Sequence, residues 1–423
     1  MLEVVRPESV GLCSKRLQRV DQWLQVQIEQ ERLAGASVLI SRRGSIAHLQ
    51  HAGLRQLEHP EPFDQSTVVR IYSMTKPITS VAAMMLYEAG CFQLDDPIAK
   101  YLPEFSDPQV WQGGAVDNVA AVQTPISVRH LLTHTSGLTY GFMQSNPVDA
   151  RYREEQIEFP GRGGTLASLV ERLAQLPLIC EPGSAWNYSV STDVLGRLVE
   201  VWSGESLADY FQAQIFTPLN MSETGFHVES ALQERFSACY APKTGGGLSG
   251  IGAKARNEDV AVRGGLKLQD RRTDSRFLQP TRLYSGGGGL TSTIGDYAKF
   301  CQMLMNGGAL GGARLLSPTT VRYMRQNHLP ENRDMAAMGQ PVWSETSYDG
   351  IGFGLGFAVV LDPIKAQIIT SVGEHHWGGA ASTFFWLDPE QDLYVIFLTQ
   401  LMPSSTYPIR RELRTRVYQS IID

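Results

Sequence analysis

The chain has 423 residues, 43% of them apolar and 19% charged, with a formal net charge of -6. Its length exceeds one typical hydrophobic core, so two lobes or one domain with a large insertion are expected. The charge balance lacks the basic stripe that nucleic-acid binding needs, and no apolar run approaches the roughly 18 residues of a membrane-spanning helix.

The cysteines at 13, 91, 180, 239 and 301 are odd in number and widely spaced, which argues against a disulfide framework or a zinc cluster. The N-terminal stretch has no positive region followed by an apolar one. A soluble cytoplasmic protein is the expectation.

In chain order, Leu17, Val20, Trp23, Leu24 and Ile28 recur at helical spacing between Ser14 and Gln30, with Ser14 as the expected cap. Residues 36–41 form a short branched run, and after Arg42-Arg43-Gly44 a second run covers 45–51, the pattern of a β-hairpin. The apolar run 79–88 reads as the body of a buried helix that carries Lys76 in its first turn. Between 93 and 280 helical patterns, at 166–176 and 194–202, alternate with Pro and Gly loops. The glycine-rich stretch 244–265 reads as a long surface loop over a site.

From Gly352 onward strands are expected at 357–361, 366–372, 382–387 and 393–398, with a turn at 388–392 and a closing helix over 409–422. The expected fold is α+β: an antiparallel sheet flanked by helices, built from residues 1–92 and 281–423, with a mostly helical domain of residues 93–280 inserted between them.

Ser73 and Lys76 stand three apart where an apolar run turns into a helix, and of the eight lysines only Lys76 has a serine at that offset. By itself the spacing is weak: chance supplies roughly one in a chain this long, and an N-cap serine beside a solvated lysine looks the same. The chemistry it would support is specific. A serine hydroxyl needs an adjacent base to attack a carbonyl at neutral pH. One helical turn puts Lys76 on the face of Ser73, and a helix N-terminus turns the Ser73 N–H toward the reacting oxygen.

An ammonium of ordinary pKa, about 10.4, accepts no proton at pH 7, so Lys76 must be desolvated or share the task with a third group. Tyr188, within Trp186-Asn187-Tyr188-Ser189-Val190, is the candidate. It is either a phenolate held by the lysine charge, which requires about 4 kcal/mol of favourable interaction, or an ordinary core tyrosine with a bonded hydroxyl.

Other signals are weaker. His130 and His134 have the zincin spacing but lack the glutamate after the first histidine, and His375-His376 reads as structural or lining. No Gly-x-Ser-x-Gly occurs, against an α/β-hydrolase, and the glycines at 286–289 fit no phosphate loop. Lys243-Thr244-Gly245 matches a motif of penicillin-recognising enzymes but lies far before the strand cluster that should hold it, and reads as a decoy.

Taken together, these residues resemble the serine β-lactamase and penicillin-binding-protein superfamily, most closely its class C-like branch, the family VIII carboxylesterases. The resemblance rests on Ser73-Met74-Thr75-Lys76, on 129–138 (Arg-His-Leu-Leu-Thr-His-Thr-Ser-Gly-Leu), on Trp186 to Ser189 followed by Asp193-Val194-Leu195-Gly196, on 285–290 (Ser-Gly-Gly-Gly-Gly-Leu), and on Trp377-Gly378-Gly379. It implies that Ser73 is the acylated nucleophile, Lys76 its activating partner and Tyr188 the general base. It further implies an oxyanion hole from the backbone N–H groups of Ser73 and Ala380, and a substrate pocket bounded by Tyr140, Trp377, Gly378 and Gly379.

Two departures bear on substrate. Val190 stands where lactamases show asparagine, and Trp377 replaces the lysine that holds a lactam carboxylate. Losing a cation and an amide while gaining an indole wall favours an apolar ester. The expectation is therefore a serine carboxylesterase acting on a small short-chain acyl ester, with room for weak β-lactam hydrolysis and with no cofactor, metal, nucleic acid or membrane partner. The alternatives are an acyltransferase to an alcohol, a β-lactamase or D-amino-acid peptidase, and a binding protein that no longer turns over substrate. Oligomeric state stays open.

Overall fold

A computed structural model describes residues 2–158, 163–243, 265–339, 348–404 and 406–423. At its centre an eight-stranded antiparallel sheet joins both ends of the chain. The N-terminal part supplies β1 (Gly35–Arg42), β2 (Ser45–Gln56) and β3 (Glu61–Pro62). The C-terminal part supplies β4 (Ile351–Phe353), β5 (Ala358–Val360), β6 (His375–Gly378), β7 (Phe384–Asp388) and β8 (Leu393–Thr399). Across the sheet the order is β4-β5-β6-β7-β8-β1-β2-β3, with Val38 of β1 opposite Phe397 of β8 and Gln50 of β2.

Period-two alternation sorts the apolar side chains between two cores. Leu39, Phe385, Leu387, Ile396 and Leu398 face a core shared with helix α2 (Thr75–Glu88), which also takes in Leu131, Leu166, Val194 and Phe211 of the helical middle. Val38, Ile40, Phe384, Trp386, Val395 and Phe397 face the opposite core, covered by α1 (Ser14–Glu29) and by the helix Ile409–Tyr418. Because both faces are covered, β1 and β8 are buried along their whole length, and β8 appears in the sequence as a near-continuous apolar run while β1 also buries Ser37, Ser41 and Arg42. The two-residue turn between β1 and β2 has positive φ at Arg43 (52°) and Gly44 (73°), as a type I′ hairpin turn requires.

Two expectations need correction. Residues 366–372 form no strand: Asp362 caps a short helix, Pro363–Ala366, by accepting from the Ile364 and Lys365 N–H groups at 2.9 and 3.1 Å. Ile369 and Val372 beyond it are exposed, because β5 pairs directly with His375 and His376 and leaves the connection no partner. Nor does Ser14 cap α1. It is the first helical residue, and its N–H donates to Glu8 Oε1 at 2.9 Å, so the upstream carboxylate satisfies the helix start.

The glycine-rich loop expected at 244–265 lies outside the described residues except for Gly265. Of Lys243-Thr244-Gly245 only Lys243 is described; it follows the short strand Cys239–Pro242, which pairs with Leu266–Asp270 apart from the main sheet. Among the described residues no helix is long and apolar enough to cross a membrane.

Candidate active site

Ser73 lies in a single 3-10 turn, Tyr72–Met74, that runs directly into α2. The chain reaches it under tight constraint. Arg70 is fully buried and donates to Asp270 Oδ2 and to the Ser237 carbonyl, both at 2.7 Å. Gln400 clamps the Arg70 backbone, accepting from its N–H at 3.1 Å and donating to its carbonyl at 3.0 Å. Ile71 N–H donates to the Leu290 carbonyl at 3.1 Å. Between these anchors Tyr72 adopts φ of 42°, a conformation that costs an aromatic residue about 1–3 kcal/mol and persists only where its surroundings enforce it.

Lys76 projects from the first turn of α2 and is 2% exposed. Its Nζ lies 3.3 Å from Ser73 Oγ and donates to the Tyr140 hydroxyl at 3.0 Å and to the Gly287 carbonyl at 2.7 Å. Burial pushes the ammonium pKa down to about 7, against the opposing attraction of Asp193. Lys76 is therefore able to be neutral at physiological pH.

Tyr188 approaches from the other side, on the segment leading into the helix Ser191–Ser203, and its hydroxyl donates to Ser73 Oγ at 2.7 Å. Burial raises its pKa; the Ser73 hydroxyl, the Trp377 indole and the Arg410 charge pull the other way without overcoming it. Of the two readings for Tyr188, burial favours the phenol over the phenolate, because desolvation opposes the anion more than these neighbours support it.

β6 delivers Trp377 into the same place, with ring centroids 5.4 Å from Tyr188 and 5.3 Å from Phe353. Its indole Nε1 is buried, and the indole lowers the Tyr188 pKa against the effect of burial. The glycines after it permit close approach. A Cβ at Gly379 would fall 2.3 Å from both the Ile71 carbonyl oxygen and Thr383 Oγ1, and one at Gly378 would meet Arg410 Nη2. Ala380 packs with Tyr72 on one small cluster, and its N–H makes no hydrogen bond among the described residues. Tyr140 turns its hydroxyl to Lys76 and stacks its ring on Phe142 at 4.5 Å.

A half-buried serine in contact with a buried lysine and a buried tyrosine on a helix-flanked antiparallel sheet is matched by the sequence comparison, in which the Beta-lactamase family covers residues 20–419. The chain belongs to this family. Esterase EstB of Burkholderia gladioli is 30% identical over 412 residues, spanning 95% of this chain and 94% of that protein. Monacolin J acid methylbutanoyltransferase of Aspergillus terreus is 27% identical over 414 residues, spanning 93% and 92%. The structure of EstCE1, a hydrolase with promiscuous acyltransferase activity, matches with a TM-score of 0.75 at 28% identity, covering 96% of this chain and 98% of that one.

In this Beta-lactamase family member the tempting histidines have separate structural tasks. His130 closes a capping box with Ser127, and burial lowers its pKa to about 4. His134, at φ of 55°, contacts Ser189 Oγ at 3.2 Å through Nδ1. His375 pairs its Nδ1 with the Gly373 carbonyl, and His376 lies 2.9 Å from Glu374 beneath the C-terminal helix. Among the described residues no group of three or more His, Cys, Asp or Glu side chains is placed to hold a metal.

Sequence reasoning missed Asp193 as a member of the site. It lies in the first turn of the helix Ser191–Ser203, where an acidic residue is unremarkable. The available signal was its place five residues after Tyr188, directly before the apolar Val194-Leu195, where a carboxylate drawn into the core needs a buried partner.

Proposed function

We propose that the protein is a serine carboxylesterase hydrolysing short-chain acyl esters through an acyl-enzyme on Ser73. The observation that carries this is the convergence of Lys76 Nζ and the Tyr188 hydroxyl on Ser73 Oγ, at 3.3 and 2.7 Å. Neutral Lys76 accepts the Ser73 proton as Oγ bonds to the ester carbonyl carbon. The backbone N–H groups of Ser73 and Ala380 receive the developing oxyanion. As the tetrahedral adduct collapses, Tyr188 gives its proton to the departing alkoxide, leaving acyl-Ser73, a Lys76 ammonium and a Tyr188 phenolate.

The phenolate is then the base for the second half. It takes a proton from water as the oxygen attacks the acyl carbon, and Lys76 returns its proton to Ser73 Oγ as the acid departs. The cycle closes with Tyr188 a phenol and Lys76 neutral. Trp377, Tyr140, Gly378 and Gly379 bound the substrate space, and the indole in place of a lysine suits an uncharged ester.

A second reading is acyl transfer, in which an alcohol replaces water in discharging acyl-Ser73. It is supported by the similarity to the methylbutanoyltransferase of Aspergillus terreus and to EstCE1. The unpaired state of all five cysteines supports a reducing, cytoplasmic location.

The test is a p-nitrophenyl ester panel run on wild type and Ser73→Ala, with and without an alcohol acceptor, and with nitrocefin alongside. Short-chain turnover that disappears in Ser73→Ala is the expected result. Turnover that survives the substitution unchanged, or nitrocefin turnover exceeding ester turnover, overturns it.

A further inference from the structure

Asp193 is 2% exposed. Its Oδ1 accepts from Ser285 Oγ at 2.5 Å and from Gly287 N–H at 3.1 Å. The carbonyl of the same Gly287 accepts from Lys76 Nζ at 2.7 Å. Asp193 thus holds one side of a residue whose other side holds the lysine. Gly287 has no room for a side chain, because a Cβ there would lie 2.5 Å from Asp193 Oδ2 and 3.2 Å from the Tyr140 hydroxyl.

The groups facing Lys76 come from every surrounding element: Ser73 from its own turn, His134 and Tyr140 from the loop after the helix Val128–Leu132, Tyr188 and Asp193 from around the start of the helix Ser191–Ser203, and Gly287 from the glycine segment. Burial and the Lys76 charge keep His134 neutral, and burial keeps Tyr140 and Tyr188 protonated. Among the described residues Asp193 is the one carboxylate whose charge acts on Lys76. Burial pushes the Asp193 pKa up, opposed first by Lys76.

We propose that Asp193 is a positioning residue that, through Gly287 and through its charge, sets both where the Lys76 amine stands and how firmly it holds its proton. The proposal rests on the role given to Lys76 above. A buried anion held by the residue that also holds the amine favours the ammonium, so it keeps Lys76 able to carry the proton through the acyl-enzyme stage and return it to Ser73. Without that anion the amine sheds its proton more readily and the inactive ammonium form dominates only at lower pH.

The test is the pH dependence of kcat/KM for p-nitrophenyl butyrate in wild type, Asp193→Asn and Ser73→Ala, with circular dichroism to verify folding. Asp193→Asn is expected to move the acidic limb down by roughly 0.5–1 pH unit and to lower the plateau. A folded Asp193→Asn whose acidic limb stays in place or moves up overturns the proposal. If Asp193→Asn does not fold, Asp193→Ser, which also removes the charge, is read the same way. Activity persisting in Ser73→Ala would instead overturn the role of Ser73, so the two failures are distinct.

Discussion

The Tyr188 hydroxyl donates to Ser73 Oγ at 2.7 Å although 115 residues separate the two in sequence. Ser73 is held by the start of α2 and Tyr188 by the segment before the helix Ser191–Ser203, and both elements pack in the same core. The contact joins a buried phenol to an alcohol beside an amine of lowered pKa, which makes the protonation of each group a matter of burial.

Tyr188→Phe removes what the proposed mechanism makes the proton donor for the departing alkoxide, while keeping the ring contacts with Tyr140 and Trp377. Loss of a positioned acid or base costs roughly 10²–10⁴-fold. The loss in kcat/KM is expected to be larger for an alkyl butyrate than for p-nitrophenyl butyrate, whose leaving group needs no proton. Equal losses on both esters would contradict the acid role.

In the proposed mechanism Lys76 acts as the neutral amine. With its pKa pushed down to about 7 by burial, kcat/KM is expected to rise with pH through about 7 and then level off. Lys76→Arg keeps a permanent cation and cannot accept the proton. It is expected to lower kcat/KM by at least about 10²-fold at every pH from 6 to 9, as stopped-flow or plate-reader kinetics would show.

Gly379→Ala places a methyl group 2.3 Å from the Ile71 carbonyl oxygen and from Thr383 Oγ1. The end of β6 must then move away from the Ser73 turn. Overpacking of this kind costs about 1–3 kcal/mol, so a lower melting temperature and a fall in kcat are expected together. Wild-type kcat in the variant would show that the close approach has no part in turnover.

Glu374, immediately before β6, is buried and accepts from Arg414 Nη2 at 2.8 Å and Arg414 Nε at 3.1 Å. Burial opposes its charge, but the Arg414 guanidinium and His376 outweigh that and hold the carboxyl well below its ordinary range. A carboxyl depressed on folding contributes stability that is present above its unfolded pKa and is lost as the pH falls. Glu374→Gln leaves Arg414 buried without its anion, a loss of about 3–5 kcal/mol. Thermal melts from pH 3 to 8 are expected to show the variant destabilised at neutral pH and less sensitive to acid than wild type.

Much of the architecture was legible along the chain. The hairpin β1–β2, α1, α2 and the strands β5, β7 and β8 follow from local periodicity, because each buries a face that the pattern of apolar residues records. The run at 366–372 misled because branched residues signal a strand only where a partner strand exists, and β5 already pairs with β6. Ser14 misled because Glu8, six residues upstream, satisfies the helix start in its place.

For the site, the sequence by itself determined which side chains were available: a serine and lysine one turn apart, a tyrosine before an apolar helix, and a tryptophan followed by two glycines. Only the tertiary structure decided how they meet and in which protonation state. Burial, which no local pattern encodes, lowers the Lys76 pKa to about 7 and keeps Tyr188 a phenol. Long-range packing places Asp193 and Gly287 around the lysine. The residues are local facts of the chain, whereas proton affinity is set by everything folded around them.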